Sequence, residues 1–441
     1  MPYLPMRASS EHREPRATAK RLERYFDQLW PICRSITGPG FRESLDILAE
    51  LMPICRLRFP SGSQAFDWTV PQEWFPREAY FVGPDGVRRA DFKVNNLHLL
   101  GYSAPFEGRI PLAELRSHLY SAPERPKAIP YFTSYYVERW GFCLPHDELA
   151  SLPDGMYDVR IDTELKDGHL DVGEAVLPGE TRQEILFSTY LCHPSLANNE
   201  LSGPLVMAFL YERLAAMERR RYTYRFVIAP ETIGAICYLS ERGEHLRATL
   251  AAGYVMTCVG DRGAFTYRTS KGGQTLADRA AKLVLRDHGP HEIIPFDPYE
   301  GSDEKQYCSP GFDLPVGSLM RTRNYRYPEY HTSDDNKDFI SFDALADSVA
   351  MYERIVSALE ANHTWVNTVR FGEPQLGKRG LYSTLGAQRD LKQWDRAMMW
   401  MLNLADGTHD LFSIAEQSAM PLDVLAVVAA ELAKAGLLKT A

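Results

Sequence analysis

Apolar residues recur with helical spacing over two stretches near the start of the chain, ATAKRLERYFDQLWPIC and FRESLDILAELM. The breaker ITGPG between them predicts two separate helices rather than one long one. From about Phe59 the pattern changes. Residues 59–125 are rich in Trp, Tyr, Phe and Pro and carry short alternating runs such as EAYFVGPDGVRRADF. The PDG within that run signals a hairpin, because glycine supplies the positive φ of a tight turn. The segment is expected to be a β-rich insertion, with residues 1–58 holding a leader and helices of the domain it interrupts.

Residues 126–370 alternate between two kinds of pattern. GMYDVRIDTEL, RQEILFSTYLC, YTYRFVIAP, LAAGYVMTCVG and LPVGSLMR predict strands, while SGPLVMAFLYERLAAMERR, QTLADRAAKLVLRDHG and DALADSVAMYERIVSALEANH predict helices. Continuous apolar strands alternating with amphipathic helices imply an α/β domain whose sheet is flanked by helices. Residues 371–441 read as purely helical: DLKQWDRAMMWMLNLAD, HDLFSIAEQSAM and PLDVLAVVAAELAKAGLL, ending in a glycine turn. Three short helices of this kind predict a winged-helix unit. Its would-be recognition helix carries two acids and one lysine, a poor reader of DNA. Packing within the chain, or contact between chains through this unit or the β insertion, is expected instead.

Composition narrows the class. A chain of 441 residues exceeds what one core holds, which fits several units. With 45% hydrophobic and 24% charged residues it reads as globular rather than disordered. No apolar run reaches the ~20 residues of a membrane span, so no membrane partner is expected. The first residues lack the apolar segment of a secretory signal and read as a mobile leader. The seven cysteines (Cys33, Cys55, Cys143, Cys192, Cys237, Cys258 and Cys308) are odd in number and form no CxxC pair. That spacing argues against a disulfide framework and a thiolate metal cluster, and predicts a cytoplasmic protein. A net charge of −9 opposes a nucleic-acid partner, which needs clustered Lys and Arg.

In open α/β sheets, ligands bind at the carboxyl ends of the strands. Four such ends carry chemistry here. ILFSTYLC runs into His193, YRFVIAP ends at Glu231, AAGYVMTCVG ends at Asp261, and YPEYHTSDD presents His331 ahead of a long helix. Two histidines and two carboxylates on converging loops are the inventory of a zinc site with a general base. The order and setting of these segments resemble the M28 aminopeptidase fold. More closely, CHPSLANNELSG, PETIG, TSYYVERWGFC and YHTSDDNKDFI resemble the bacterial DUF4910/DUF2172 group, which is aminopeptidase-like with a β insertion and a C-terminal winged helix. Members of that group often occur near polysaccharide-biosynthesis genes.

The resemblance implies that His193 is the first metal histidine, His331 the last, Asp261 an aspartate ligand and Glu231 the general base. Two positions depart from the M28 pattern: Asn199 stands where a bridging Asp is expected, and Thr232 where a second Glu is expected. Two dications about 3.5–4 Å apart need anions between them to offset their repulsion. One zinc per chain is therefore expected, held by His193, Glu200 and His331 with a water in the fourth position. Asp261 is either a fourth ligand or a partner orienting a histidine.

Other readings stand beside these. His193 alone reads as a buried structural histidine, and His331 as part of a helix-capping loop. Glu200 could favour a helix N-terminus through the dipole, and Glu231 and Asp261 could belong to ordinary turns. Cys192 is assigned to the core, because adjacent strand residues point to opposite faces. Asp303 could bind a substrate amine or belong to a solvated acidic loop. Arg321 and Arg323 could fork a substrate carboxylate. Tyr135, Tyr136, Trp140 and Phe142 form either core or a sugar-stacking platform. The reading is a zinc hydrolase of aminopeptidase type acting on a small peptide or N-acyl amine. The alternative is a catalytically inactive binding or assembly protein linked to polysaccharide biosynthesis.

Overall fold

The structure is a computed structural model, and it describes residues 15–381 and 391–441. The expected leader, residues 1–14, lies outside the described residues. Helix α1 (Pro15–Leu29) buries Leu22, Tyr25, Phe26 and Leu29, the i, i+3, i+4 and i+7 positions of one stripe. After the short connection, Gly38 takes φ 100° and Pro39 opens α2 (Pro39–Leu48), as the breaker predicts.

Eight strands form the main sheet: β1 (Cys55–Pro60), β2 (His169–Leu177), β3 (Glu184–Tyr190), β4 (Thr223–Ala229), β5 (Leu250–Met256), β6 (Phe265–Arg268), β7 (His291–Ile294) and β8 (Val316–Met320). Their order is β1-β2-β4-β3-β5-β8-β6-β7. Strands β4, β3, β5 and β8 run parallel in the centre, and antiparallel pairings join β1–β2, β2–β4 and β8–β6. The parallel strands are buried along nearly their whole length, which is why they read as continuous apolar runs. The crossover helices α3 (Ser202–Ala215) and α4 (Ile233–Thr249) follow β3 and β4, and α5 (Leu276–Arg286) and α6 (Phe342–Ala361) complete the cover. From β3 the chain moves to β4 on one side and then to β5 on the other. The carboxyl end of β3 is thus a topological switch point, where a crevice opens.

The expected hairpin at Pro84–Gly86 is present, with Gly86 at φ 75° and Gly83 N–H bonded to Val87 O. The second sheet runs Arg88–Arg89, Glu73–Val82, Met156–Lys166, Phe106–Pro111. Its third strand lies beyond residue 125 and was expected in the large sheet. It alternates buried and exposed positions, the pattern of a one-sided sheet rather than of a central parallel strand.

At the C-terminal end, helices α7 (Leu391–Leu404), α8 (Leu411–Ser418) and α9 (Leu422–Lys434) pack with a three-stranded sheet of Asp406–Asp410, Thr364–Asn367 and Leu438–Thr440. The central strand of that sheet precedes residue 371, so the unit starts earlier than helical periodicity alone indicates. Helix α9 is tied to the main domain at its N-terminus, where Leu422 N–H bonds Asp287 Oδ2 at 2.9 Å. Arg279 anchors α8 through Asp410 and Glu416. Among the described residues, no helix is long and apolar enough to cross a membrane.

Candidate metal centre and active site

His193 lies three residues past β3. The chain has left strand geometry by Leu191, so strand alternation no longer separates neighbouring side chains. Cys192 Sγ consequently lies 3.3 Å from His193 Nδ1, contrary to the opposite-face expectation. The thiol is buried, and burial pushes it up to about 12, which disfavours the nucleophilic thiolate.

Residues Ala197–Leu201 form one π-helical turn that leads into α3, a distortion common at functional sites. It carries Glu200 back toward His193. Glu200 Oε1 accepts the His193 backbone N–H at 2.8 Å, and Oε2 lies 2.8 Å from Nδ1. Glycine is required directly after this turn. A Cβ on Gly203 would stand 2.3 Å from both Met256 O and Thr189 Oγ1, so only glycine lets α3 start against β3 and β5.

His331 arrives from the far side on a residue at φ 56°. Its carbonyl accepts Tyr131 N–H at 2.8 Å, and its ring stacks on Tyr330 at 3.9 Å between centroids. The two imidazoles are 5.4 Å apart between centroids, and Tyr131 touches both. Burial, together with the neighbouring His193, holds His331 well below the ordinary histidine range. Burial also disfavours charge on His193, but Cys192 and Glu200 more than offset it and hold that pKa high.

Glu231 follows β4. Its Oε2 is 3.7 Å from His193 Nε2, and its Oε1 accepts the Ser302 hydroxyl at 2.6 Å. Thr232 sits at φ 64°, an outlier for a β-branched residue of the kind found where surroundings over-determine the backbone. Its N–H bonds Asp303 Oδ1 at 2.7 Å. Asp303 is fully buried beneath Glu231, and burial with the nearby Glu231 charge raises it well above the carboxylate range. It is neither a solvated loop acid nor exposed to a substrate amine.

The donor set can be tested for a metal on this geometry. His331 Nε2 is a buried nitrogen without a hydrogen-bond partner, while Glu200 Oε2 is paired with His193 Nδ1 at 2.8 Å. Cys192, His193 and Glu200 bring ligand atoms within 4.8 Å of one another. A buried histidine nitrogen left without a partner, beside a histidine and a carboxylate, fits a divalent cation.

Asp261 is placed differently. Its two oxygens accept Asn198 Nδ2, Thr322 N–H, Thr322 Oγ1 and Gly263 N–H, at 3.0, 3.1, 2.7 and 2.6 Å. With four donors it fixes a turn and orients Asn198 rather than a histidine. Arg321 is also committed, to Ser348, Gly263 O, Ala344 O and Asp347. Arg323 faces Glu300 at 3.7 Å. Neither arginine reaches the pocket, so the predicted carboxylate fork does not form there.

Asp335, absent from the sequence reading, ties the two motifs together. Its carboxylate caps the π turn, accepting Asn198 N–H at 2.7 Å and Asn199 N–H at 2.9 Å. The SDD after His331 looks like a cap for its own helix; the structure shows it capping another. Ser302, and Arg34 buried beneath His193 O at 3.4 Å, were also missed. Their only sequence signal was proximity to residues of other kinds.

His193, Glu231 and His331 open onto a cavity of about 530 Å³. Its other walls are Ile36, Trp68, the aromatic stretch Tyr131, Phe132, Thr133, Tyr135 and Tyr136, then Cys192, Thr232 and Ile233. Trp68 comes from a small hairpin of the inserted region, which gives the insertion a place at the site.

The mixed sheet flanked by helices has the fold of M28-type aminopeptidases, and a C-terminal winged helix is added to it. Residues 23–362 match the family described as domain of unknown function DUF4910, and residues 363–440 match a winged helix-turn-helix family. The chain belongs to the DUF4910 family. It is 42% identical over 423 residues, 96% of each chain, to a Clostridium acetobutylicum protein provisionally named a polysaccharide biosynthesis protein with aminopeptidase-like domain. A crystal structure of a provisionally named peptidase from Clostridium acetobutylicum aligns with TM-score 0.92 and 40% identity, over 98% of both chains. The zinc aminopeptidase BSAP of Bacillus subtilis aligns with TM-score 0.57 and 12% identity, over 78% of this chain and 94% of its own, a likeness of fold.

Proposed function

We propose that this chain is a hydrolase that cleaves an amide bond with the help of one divalent ion, zinc in the first place. His193, Glu200 and His331 would hold the ion. The observation that carries this reading is the buried, unpartnered His331 Nε2, on a ring 5.4 Å between centroids from that of His193, which Glu200 holds at 2.8 Å. When bound, the ion supplies Lewis acidity toward the amide carbonyl and the attacking water.

Glu231 takes the proton of that water as oxygen adds to the carbonyl carbon. It then returns the proton to the nitrogen as the C–N bond breaks, giving a carboxylic acid and an amine. The Ser302 hydroxyl holds Oε1 of Glu231, so the carboxylate has one preferred orientation toward the pocket. Asp303 lies buried beneath the base, and burial with the nearby Glu231 charge raises it well above the carboxylate range. The seven cysteines are all free, which supports a cytoplasmic setting.

A panel of chromogenic amides, assayed with wild type and Glu231→Gln after zinc reconstitution, tests the reading. Amine release by wild type and its loss in the variant are expected. Equal release by both would remove Glu231 from the chemistry, and no release with any amide would favour the inactive binding protein.

A further inference from the structure

Resting on the hydrolase reading, we infer that the pocket takes an uncharged N-acylated amino-sugar unit rather than a peptide with a free amino terminus. Charge is the first ground. Among the described residues, those lining the pocket include no Lys or Arg, and Glu231 is the one carboxylate among them. A peptide ammonium needs an anion other than the proton-carrying base, and Asp303 is sealed beneath it. A terminal carboxylate, or the diphosphate of a nucleotide-linked sugar, needs cations, and Arg321 and Arg323 are committed elsewhere. The pocket therefore selects a neutral group.

The second ground is the nature of the walls. Trp68, Phe132 and Tyr136 remain 37%, 43% and 53% exposed at the mouth, an unusual concentration of accessible aromatic surface. Trp68 and Tyr136 meet edge to face at 5.4 Å. Tyr131 and Tyr135 join hydroxyls at 2.7 Å deeper in, and burial keeps both phenols neutral. Thr133 and Thr232 add further hydroxyls. Aromatic faces mixed with uncharged hydroxyls match a pyranose, which has an apolar C–H face and a rim of hydroxyls. Hydrolysis then adds water across the N-acyl bond, releasing the acid and leaving the sugar amine.

The test is calorimetric titration of the zinc-loaded full chain with N,N′-diacetylchitobiose, L-leucinamide and N-acetyl-L-phenylalaninamide. Saturable binding of the disaccharide, tighter than either amide, is expected. Trp68→Ala should weaken it about five- to tenfold, and Trp68→Phe should restore it to within about twofold. Tyr136→Ala provides a second wall variant should Trp68→Ala fail to fold. Tighter binding of either amide, or disaccharide affinity unchanged in the alanine variants, overturns the inference. Disaccharide binding without amine release retains this inference and counts against the hydrolase. Cleavage of L-leucine p-nitroanilide without disaccharide binding retains the hydrolase and overturns this inference.

Discussion

Glu73, His169 and Asp171 bring a histidine and two carboxylates as close together as Cys192, His193 and Glu200 do, with ligand atoms within 4.8 Å in both groups. They differ in countercharge and in access. The Arg42 guanidinium lies between Glu73 and Asp171, bonding both, and Arg58 approaches Asp171 at 3.6 Å. Two guanidiniums already balance two carboxylates, so a dication would meet repulsion there. Glu200 has countercharge too, from His193 at 2.8 Å and from the buried Arg34 guanidinium, but Glu231 beyond His193 opens on a large cavity. Ligand-type residues at ligand-type spacing therefore do not define a metal site; a histidine nitrogen left unpartnered, and a cavity that leads to it, point to one.

The contrast can be broken at either group. The largest effect is expected from Glu231→Gln, which should lower amide turnover by about 10²–10⁴-fold while zinc content stays unchanged. Simultaneous loss of zinc would make Glu231 a ligand instead of a base. Arg42→Met should destabilise the fold by about 3 kcal/mol, because Glu73 and Asp171 lose their buried countercharge. Denaturant unfolding measures this, and zinc content should not change. Glu200→Gln should weaken zinc binding about 10- to 100-fold, read by competition with a chromogenic chelator.

The smallest effect lies far from both groups. Burial opposes ionisation of Asp410, but Arg279 and Ser413 pull its carboxyl down to about 2. A depressed carboxyl pKa contributes stability above its unfolded value of about 4, and that contribution is lost as pH falls toward 2. Asp410→Ala, which also removes the N-cap of α8, should cost about 1 kcal/mol at neutral pH. The difference from wild type should shrink across that acidic window in pH-dependent thermal melts.

The parallel strands and their helices were legible because each is buried on both faces or on one stripe, and such burial writes a period into the sequence. Met156–Lys166 also wrote a strand pattern, but a local pattern does not say which sheet a strand joins. The loops carrying His193, Glu231 and His331 were legible from their place after apolar strands and from the family resemblance. What stayed hidden was long-range. Asp335 caps a turn 137 residues away, and Ser302 reaches Glu231 across 71. Asp261 and Arg321 looked available because sequence does not show which donors and acceptors fold onto them. Trp68 was placed at the pocket by the packing of the insertion, which no local period records.

Metal content per chain, measured by elemental analysis of wild type beside His193→Ala and His331→Ala, tests the central claim most directly. One zinc per wild-type chain, lost in both variants while the fold is retained, is the expected result. Two metals in wild type would mean that Asn199 and Thr232 do not prevent a paired centre. No metal, even after zinc is added back to wild type, would contradict the account and leave a binding protein with a peptidase fold.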